Sequence, residues 1–236
     1  NLVAIRVLKH IGPKYAQDYV SRFGFDPKKH QPYLSMALGV GEVTAMEMVS
    51  AYSVFANGGY LKKPYFIEKI IDSKGRKVKL SSALMNAEVP RIIDPRNAFI
   101  MTDMLKEVIN TGTARKAKRL QRSDIAGKTG TTNNLIDAWF AGYNPDIVTV
   151  TWMGFPQPKP LGNKETGSRA ALPIWIDYME PILEDYPVKM LVEPEGILPL
   201  KVKESDGTLA GVNEQGIYEY FYDEFLPQNN AYFMIN

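Results

Sequence analysis

The chain has 236 residues, of which 45% are hydrophobic and 23% charged, and its formal net charge is +2. This composition predicts a globular protein with one sizeable core and excludes an extended disordered chain. The small net charge argues against a nucleic-acid partner, and the lack of cysteine excludes disulfides, thiolate chemistry and cysteine-bound metals. The two histidines, His10 and His30, lack metal-ligand spacing, so we expect no metal or other cofactor.

No stretch of the sequence approaches the 18 apolar residues of a membrane span, and no signal peptide is visible. The chain begins abruptly at Asn1, inside an apolar pattern that is already helical. We therefore expect it to be a fragment, and the absence of a span here does not exclude an anchor elsewhere in the protein.

The first elements in chain order are two predicted helices. Apolar residues at helical spacing predict a helix over residues 2–11, which Gly12 and Pro13 break, and a second over about 14–23. The glycine-punctuated stretch 34–43 is predicted to be irregular.

Two further helices have clear start signals. Thr44 with Glu47 three residues later forms a predicted capping box, and that helix runs to about residue 56. Asp94 followed by Pro95 is an N-cap with proline at the first helical position, and it predicts a helix that runs from Arg96 to about residue 110. Between them, residues 65–72 and 77–80 alternate as a hairpin would, and residues 81–93 are weakly patterned.

The second half of the chain predicts a sheet. Strands are expected over 125–131, 137–143 and 147–155, and the short Asn-Pro-Asp turn between the last two predicts an antiparallel pair. A loop over 156–167 and an amphipathic helix over about 173–185 follow. Residues 190–236 contain weak strand-like pieces, which we interpret as a tail packed on the main domain. The basic run at 115–119 is interpreted as a solvated connection before a strand.

The motif with the most chemistry is Lys128-Thr129-Gly130-Thr131 on the first of these strands. On an edge strand, Lys128 offers a positive charge and the two threonines offer hydroxyls to a substrate carboxylate. Gly130 lets a substrate backbone approach closely, and the Thr131 N–H is placed to help bind an oxyanion. A phosphate-binding loop is the competing interpretation of Gly-Lys-Thr, but Arg122 stands where that pattern requires glycine, and a strand follows instead of a helix.

The surroundings of this motif resemble the class A penicillin-binding proteins, most of all the 1A type of Gram-negative bacteria. The similarity covers roughly residues 1–185, in the order of the family. The matching segments are Ser35 to Gly39, Glu42 to Thr44, Tyr52, Phe55 to Gly59, Gly127 to Asn133, Asp137 to Tyr143, Glu165 to Gly167, Ala171, Pro173 and Trp175.

The resemblance implies an α+β fold in which an antiparallel β-sheet is flanked by helices, here incomplete at the N-terminus. We expect residues 1–189 to be the C-terminal portion of the transpeptidase domain and 190–236 to be its tail. The implied activity is a D,D-transpeptidase that cross-links peptidoglycan stem peptides ending in D-Ala-D-Ala through a serine acyl-enzyme and reacts covalently with β-lactams. The whole protein is then also expected to be a glycosyltransferase, with cell-wall synthesis proteins as partners, on the periplasmic side of the inner membrane.

Part of the family's machinery does not occur in this sequence. No serine begins an S-x-x-K motif and no S-x-N is complete, so the catalytic serine and its lysine are expected in a missing N-terminal part of the same protein. Asn1 precedes a helix that resembles the one after S-x-N, and it is interpreted as the last residue of that motif, which would bind the substrate amide. The competing interpretation is that Asn1 is merely the chain end.

Two other functions stay open at the level of sequence. A serine β-lactamase would share the Lys-Thr-Gly strand, but it needs a carboxylate that activates water, and none with suitable context is evident. A non-catalytic penicillin-binding-like interaction module would explain the absent serine.

Overall fold

A computed structural model of the chain describes residues 1–78 and 89–227. It has an α+β architecture in which helices surround a three-stranded antiparallel sheet, with two small hairpins beside it. None of the helices in these two ranges is long and apolar enough to cross a membrane. The predicted fold class agrees with this architecture.

The first two helices, α1 (Leu2–Ile11) and α2 (Pro13–Ser21), meet at Gly12. Gly12 has φ +90°, a conformation that a side chain would disfavour, so the chain reverses there without strain. Pro13 opens α2 as well as ending α1, since a helix tolerates proline in its first turn. The predicted irregular stretch begins with a short 3₁₀ turn, Leu34–Leu38, on which α1 packs.

The two helices with strong start signals form as predicted. Thr44 caps α3 (Ala45–Ala56): its hydroxyl accepts from the Glu47 N–H at 3.1 Å, and the Glu47 carboxylate accepts from the Thr44 N–H at 2.7 Å. Asp94 caps α4 (Pro95–Asn110) by accepting from the Arg96 N–H at 2.8 Å.

The first strand of the hairpin before α4 is shorter than predicted. Within the described residues, the hairpin pairs β1 (Ile70–Ile71) antiparallel with β2 (Lys77–Val78) across the turn at Gly75, and residues 79–80 of the predicted second strand lie outside them. Residues 65–69 form no strand, because a strand needs a partner strand and a surface to pack against. Two of these residues, Tyr65 and Phe66, are exposed. Most of the weakly patterned stretch 81–93 lies outside the described residues.

The central sheet has the strand order β3 (Ala126–Thr131), β4 (Ala138–Tyr143), β5 (Val148–Met153). Both pairs are antiparallel, and β3 forms one edge of the sheet as described. The predicted turn between β4 and β5 is made by Asn144, whose buried side-chain oxygen accepts from two backbone N–H groups.

The main core lies between this sheet and α5 (Leu172–Glu184). Trp175 is fully buried, packs edge-on against Phe140 with ring centroids 5.0 Å apart, and donates its indole N–H to the Thr149 carbonyl at 3.0 Å. One turn of π-helix, Gly167–Ala171, joins the preceding loop to α5. This packing fixes the sheet, and therefore β3, from one side.

The basic run at 115–119 is more than a solvated connection. It forms a 3₁₀ turn, Arg115–Leu120, in which Ala117 is buried. Arg119 pairs with Asp177 and with Glu180 on α5. The correction follows from tertiary packing, since α5 brings acidic side chains to a segment that is uniformly basic in sequence.

The weak strand-like pieces of the tail pair as a second hairpin, β6 (Ile197–Val202) with β7 (Ile217–Tyr222). The hairpin packs on α4 through Phe99 and Tyr220, whose ring centroids are 4.9 Å apart.

Candidate active site

The predicted substrate-binding motif lies on the exposed edge strand β3. In the register of the sheet, Lys128 pairs with Ala141 and Gly130 pairs with Trp139. The Thr132 N–H donates to the Asp137 carbonyl at 3.1 Å, which makes this a hydrogen-bonded pair. Because such pairs alternate along an antiparallel ladder, the N–H and carbonyl of Thr129 and Thr131 point to the open edge. An extended peptide could therefore add to the sheet alongside these two residues.

Side chains of β3 alternate between two faces of the sheet, which we name by their polar residues. The lysine face carries Ala126, Lys128 and Gly130, and Ala126 packs there with Tyr143 against α3 and α4. The threonine face carries Thr129 and Thr131 and is continuous with the core formed by α5. The charge and the hydroxyls therefore flank the same open edge from opposite sides.

Lys128 is the cation of this site. Its ammonium donates to the Thr129 carbonyl at 2.9 Å, so it lies close to the open edge of the strand. Partial loss of hydration lowers the pKa of the Lys128 amine. The amine nonetheless belongs to a residue that solvent reaches, so it stays available to a carboxylate.

The two threonine hydroxyls each have a hydrogen-bond partner outside β3. The hydroxyls of Thr129 and Thr113 are 2.6 Å apart. The Thr131 hydroxyl accepts from the backbone N–H of Gly167 at 3.0 Å. Both hydroxyls are therefore held by elements that pack on the sheet, the turn after α4 and the π-helical turn before α5.

The glycines of the motif admit close neighbours on each face. A Cβ on Gly127 would lie 2.7 Å from the Ala141 carbonyl oxygen, so only glycine fits there without a shift of β4. A Cβ on Gly130 would meet the Trp139 side chain at 3.2 Å. Glycine at position 130 thus avoids a tight contact with the Trp139 side chain on the lysine face.

Asn1, the remaining predicted substrate-binding residue, is exposed at the start of α1. Its carbonyl accepts from the Ile5 N–H at 3.1 Å, and its side chain makes no capping hydrogen bond. Within the described residues, α1 packs mainly on α2 and on the turn Leu34–Leu38, and no side-chain hydrogen bond joins Asn1 to β3. The role of Asn1 in substrate binding stays a prediction.

A buried ion pair that the sequence did not reveal fixes the start of β3. Arg122 and Asp124 make a bidentate pair at 2.9 and 2.7 Å, and Asp124 also accepts from the Lys189 N–H at 3.0 Å. Burial alone would raise the pKa of Asp124, but the hydrogen bonds from Arg122 and Lys189 hold it below its usual range. Arg122 further donates to the carbonyls of Leu183 and Tyr186, so the end of α5 is tied to the strand.

Sequence reasoning also missed Thr113 and Gly167 as neighbours of the site. The sequence predicts no role for Thr113, and Gly167 is notable there only as part of the family-like segment Glu165 to Gly167. Neither has a local signal for its contact, because both contacts join residues far apart in sequence. The groups of His, Asp and Glu in the described residues include none that is placed to hold a metal ion.

The chain matches a known protein family and known proteins in sequence. Residues 1–180 match the family model described as the penicillin-binding protein transpeptidase domain. The chain is 49% identical over 199 residues, 84% of its length, to penicillin-binding protein 1A of Neisseria lactamica, and it spans 25% of that protein. It is 39% identical to penicillin-binding protein 1A of Pseudomonas aeruginosa, where 96% of the chain aligns with 33% of the relative.

The fold is similar to that in the crystal structure of penicillin-binding protein 1A from Haemophilus influenzae. The TM-score is 0.90 at 32% identity, and the match covers 97% of this chain and 39% of that one. The chain thus spans a quarter to two fifths of the relatives it matches. On the family match and on these identities, the chain belongs to the penicillin-binding protein transpeptidase family.

Proposed function

We propose that this chain is the substrate-strand portion of a serine D,D-transpeptidase that cross-links peptidoglycan stem peptides. The observation that carries the proposal is β3, an open edge strand with the Lys128 ammonium on one side and the hydroxyls of Thr129 and Thr131 on the other. A stem peptide would pair with this edge, and its terminal carboxylate would bind the ammonium and the hydroxyls.

In the proposed reaction, a serine oxygen attacks the carbonyl carbon of the D-Ala-D-Ala peptide bond. The outward-facing N–H of Thr131 would donate to the oxyanion that forms. D-Ala leaves with its nitrogen protonated, and an ester joins the remaining peptide to the enzyme. The amine of a neighbouring stem peptide then attacks the ester and releases the serine. A β-lactam would acylate the same serine and stall at the ester.

The nucleophile of this proposal lies in a part of the protein outside the 236 residues, because no serine here begins an S-x-x-K motif. Residues 1–189 would be the C-terminal portion of the domain, and 190–236 a tail held on α4. The family match over residues 1–180 and the pair of Arg96 with Glu224 at 2.9 Å support this division. Asn1 would complete the substrate site as the last residue of S-x-N.

For the whole protein we propose the arrangement of a bifunctional peptidoglycan synthase. A glycosyltransferase domain would polymerise the glycan strands that the transpeptidase cross-links. Its partners would be other cell-wall synthesis proteins, and it would work on the periplasmic side of the inner membrane. The support is the identity of 39–49% to penicillin-binding proteins 1A, which this chain matches over only part of their length.

The test is covalent labelling of the full-length protein with a fluorescent penicillin. Lys128→Ala is expected to slow acylation about ten- to a hundredfold, because a hydrogen bond to a charged group contributes about 1.5–3 kcal/mol. Lys14→Ala is the matched control, since Lys14 is an exposed lysine paired with Asp18 on α2, and it should acylate at the wild-type rate.

Two results would reject parts of the proposal. An unchanged rate in Lys128→Ala would remove Lys128 from the site. A full-length protein that never labels would be a non-catalytic interaction module, and one that labels but releases hydrolysed penicillin rapidly would be a β-lactamase.

A further inference from the structure

The inference concerns the two hydroxyls of β3 and the groups that hold them. Thr129 Oγ1 lies 2.6 Å from Thr113 Oγ1, and Thr131 Oγ1 lies 3.0 Å from the Gly167 nitrogen. Thr113 follows α4, whereas Gly167 begins the π-helical turn before α5. Each of the two threonine hydroxyls of β3 is thus contacted by a different element.

The direction of each hydrogen bond follows from its donors. A hydroxyl has one proton, while a peptide N–H can only donate. The Thr131 oxygen must therefore accept from Gly167, which leaves the Thr131 proton free. In the Thr113–Thr129 pair either hydroxyl can donate. A carboxylate can only accept, so once Thr129 donates to it, Thr113 has to donate to Thr129.

We propose that Thr113 and the N–H of Gly167 are positioning groups that turn the protons of Thr129 and Thr131 toward a bound carboxylate. This inference rests on the proposed function, since it takes that carboxylate as the ligand of β3. A hydroxyl that accepts one hydrogen bond becomes a stronger donor in the next, so the two outside donors also strengthen the contacts to the substrate.

The backbone around Thr113 is fixed well enough for such a role. A Cβ on Gly112 would lie 2.8 Å from both the Cα and the carbonyl oxygen of Val108, so glycine is required where the chain turns back on α4. The next residue, Ala114, is fully buried and donates its N–H to the Val108 carbonyl at 3.0 Å. Thr113 therefore stands between two anchored residues, with its hydroxyl directed at β3.

Gly167 is constrained in the same way. A Cβ there would collide with the Gly130 carbonyl oxygen and would lie 2.5 Å from that of Trp139. Any other residue would push the turn off the sheet and move its N–H away from Thr131. The donor to Thr131 is thus the backbone N–H of a position that only glycine can occupy without a shift of the turn.

The experiment measures the second-order rate of acylation of the full-length protein by a penicillin and by the methyl ester of the same penicillin. Thr113→Val keeps the shape of the side chain but removes the hydroxyl. It is expected to slow the reaction with the free carboxylate about three- to tenfold, the range for one neutral hydrogen bond. The reaction with the ester should slow less, because an uncharged ester carbonyl is a weaker acceptor than a carboxylate. Thr113→Ser should restore the wild-type rate.

Two controls separate positioning from a structural effect. Thr111→Val removes a hydroxyl from the same turn. Among the described residues that hydroxyl bonds to Glu107 alone, so the variant should acylate as the wild type does. In a Thr129→Val background, Thr113→Val should have no further effect, because its action passes through the Thr129 hydroxyl.

Three results would overturn the inference. They are an equal loss on both penicillins in Thr113→Val, a wild-type rate in Thr113→Val, or additive losses in the double variant. These outcomes are distinct from failure of the proposed function, in which the unmodified protein would either not be acylated at all or would release hydrolysed penicillin rapidly.

Discussion

The two faces of the β3–β5 sheet are built from the same alternating strands, yet they end differently. Over β4 and β5 the threonine face is sealed by α5, where Phe140, Trp175 and Met179 are fully buried, whereas Thr131 on β3 is exposed. The lysine face is covered at one end, where Ala126 and Tyr143 pack on α3 and α4, and Lys128 beside them is exposed. The sealed face provides the stability that holds β3 in place, so the other face can present a charge to a ligand.

The largest effect expected from this contrast is loss of stability when the sealed face is opened. Trp175→Ala should reduce the free energy of unfolding of the domain by about 3–5 kcal/mol, because it removes a fully buried indole and leaves a cavity against Phe140. Denaturant titration of the full-length protein measures it. Ile174→Ala, one residue earlier and 45% exposed, should change stability by less than about 0.5 kcal/mol. Equal losses in the two variants would contradict the contrast between faces.

The next effect concerns the ion pair at the start of β3. Asp124→Asn leaves the buried Arg122 without its counter-charge and should cost about 3 kcal/mol in unfolding free energy at neutral pH. The pKa of Asp124 is lowered by folding, so its contribution is present above the ordinary aspartate value of about 3.9 and is lost as pH falls through the folded pKa. The acid dependence of stability should therefore weaken in the variant.

The matched control for this pair is Asp146→Asn. Asp146 pairs at 2.9 Å with the exposed ammonium of Lys189, the residue whose backbone N–H donates to Asp124. The loss of unfolding free energy in Asp146→Asn should be below about 1 kcal/mol. If Asp146→Asn reduced the unfolding free energy as much as Asp124→Asn, burial could not explain the contribution of the Arg122–Asp124 pair to stability.

The smallest effect belongs to the exposed face and is a shift in pH dependence. Loss of hydration lowers the pKa of Lys128 below the usual lysine value of about 10.4. As pH rises, the amine therefore loses its charge earlier than an ordinary lysine does. Acylation by a penicillin with a free carboxylate should decline as pH rises through that lowered pKa. Lys128→Arg keeps its charge and should move the decline to higher pH. An identical alkaline decline in both proteins would assign it to another group.

Local signals explain how much of the fold was predictable. The helices at 45–56 and 95–110 start where Thr44 and Asp94 indicate, because an N-cap satisfies backbone donors within three residues of itself. The three strands of the sheet were predicted to within two residues, from β-branched and aromatic composition and from the turn at Asn144. The first strand of the hairpin was predicted too long, since the side chains of residues 65–69 are exposed and have no core to pack against.

The candidate site also combines residues that have local sequence signals with residues that have none. Residues 128–131 could be proposed from sequence because they are contiguous and their side chains suit a carboxylate. Thr113, Gly167 and the Arg122–Asp124 anchor were not, since each acts through a contact that only folding brings about.

The sequence by itself determined the elements, the antiparallel turn and the identity of the charged strand, because capping, alternation and residue chemistry act over a few neighbours. The tertiary structure decided which edge of the sheet is open, which face of β3 each side chain occupies and which donors reach Thr129 and Thr131. Those features depend on how α4, α5 and the sheet pack, and packing joins residues that no local pattern relates.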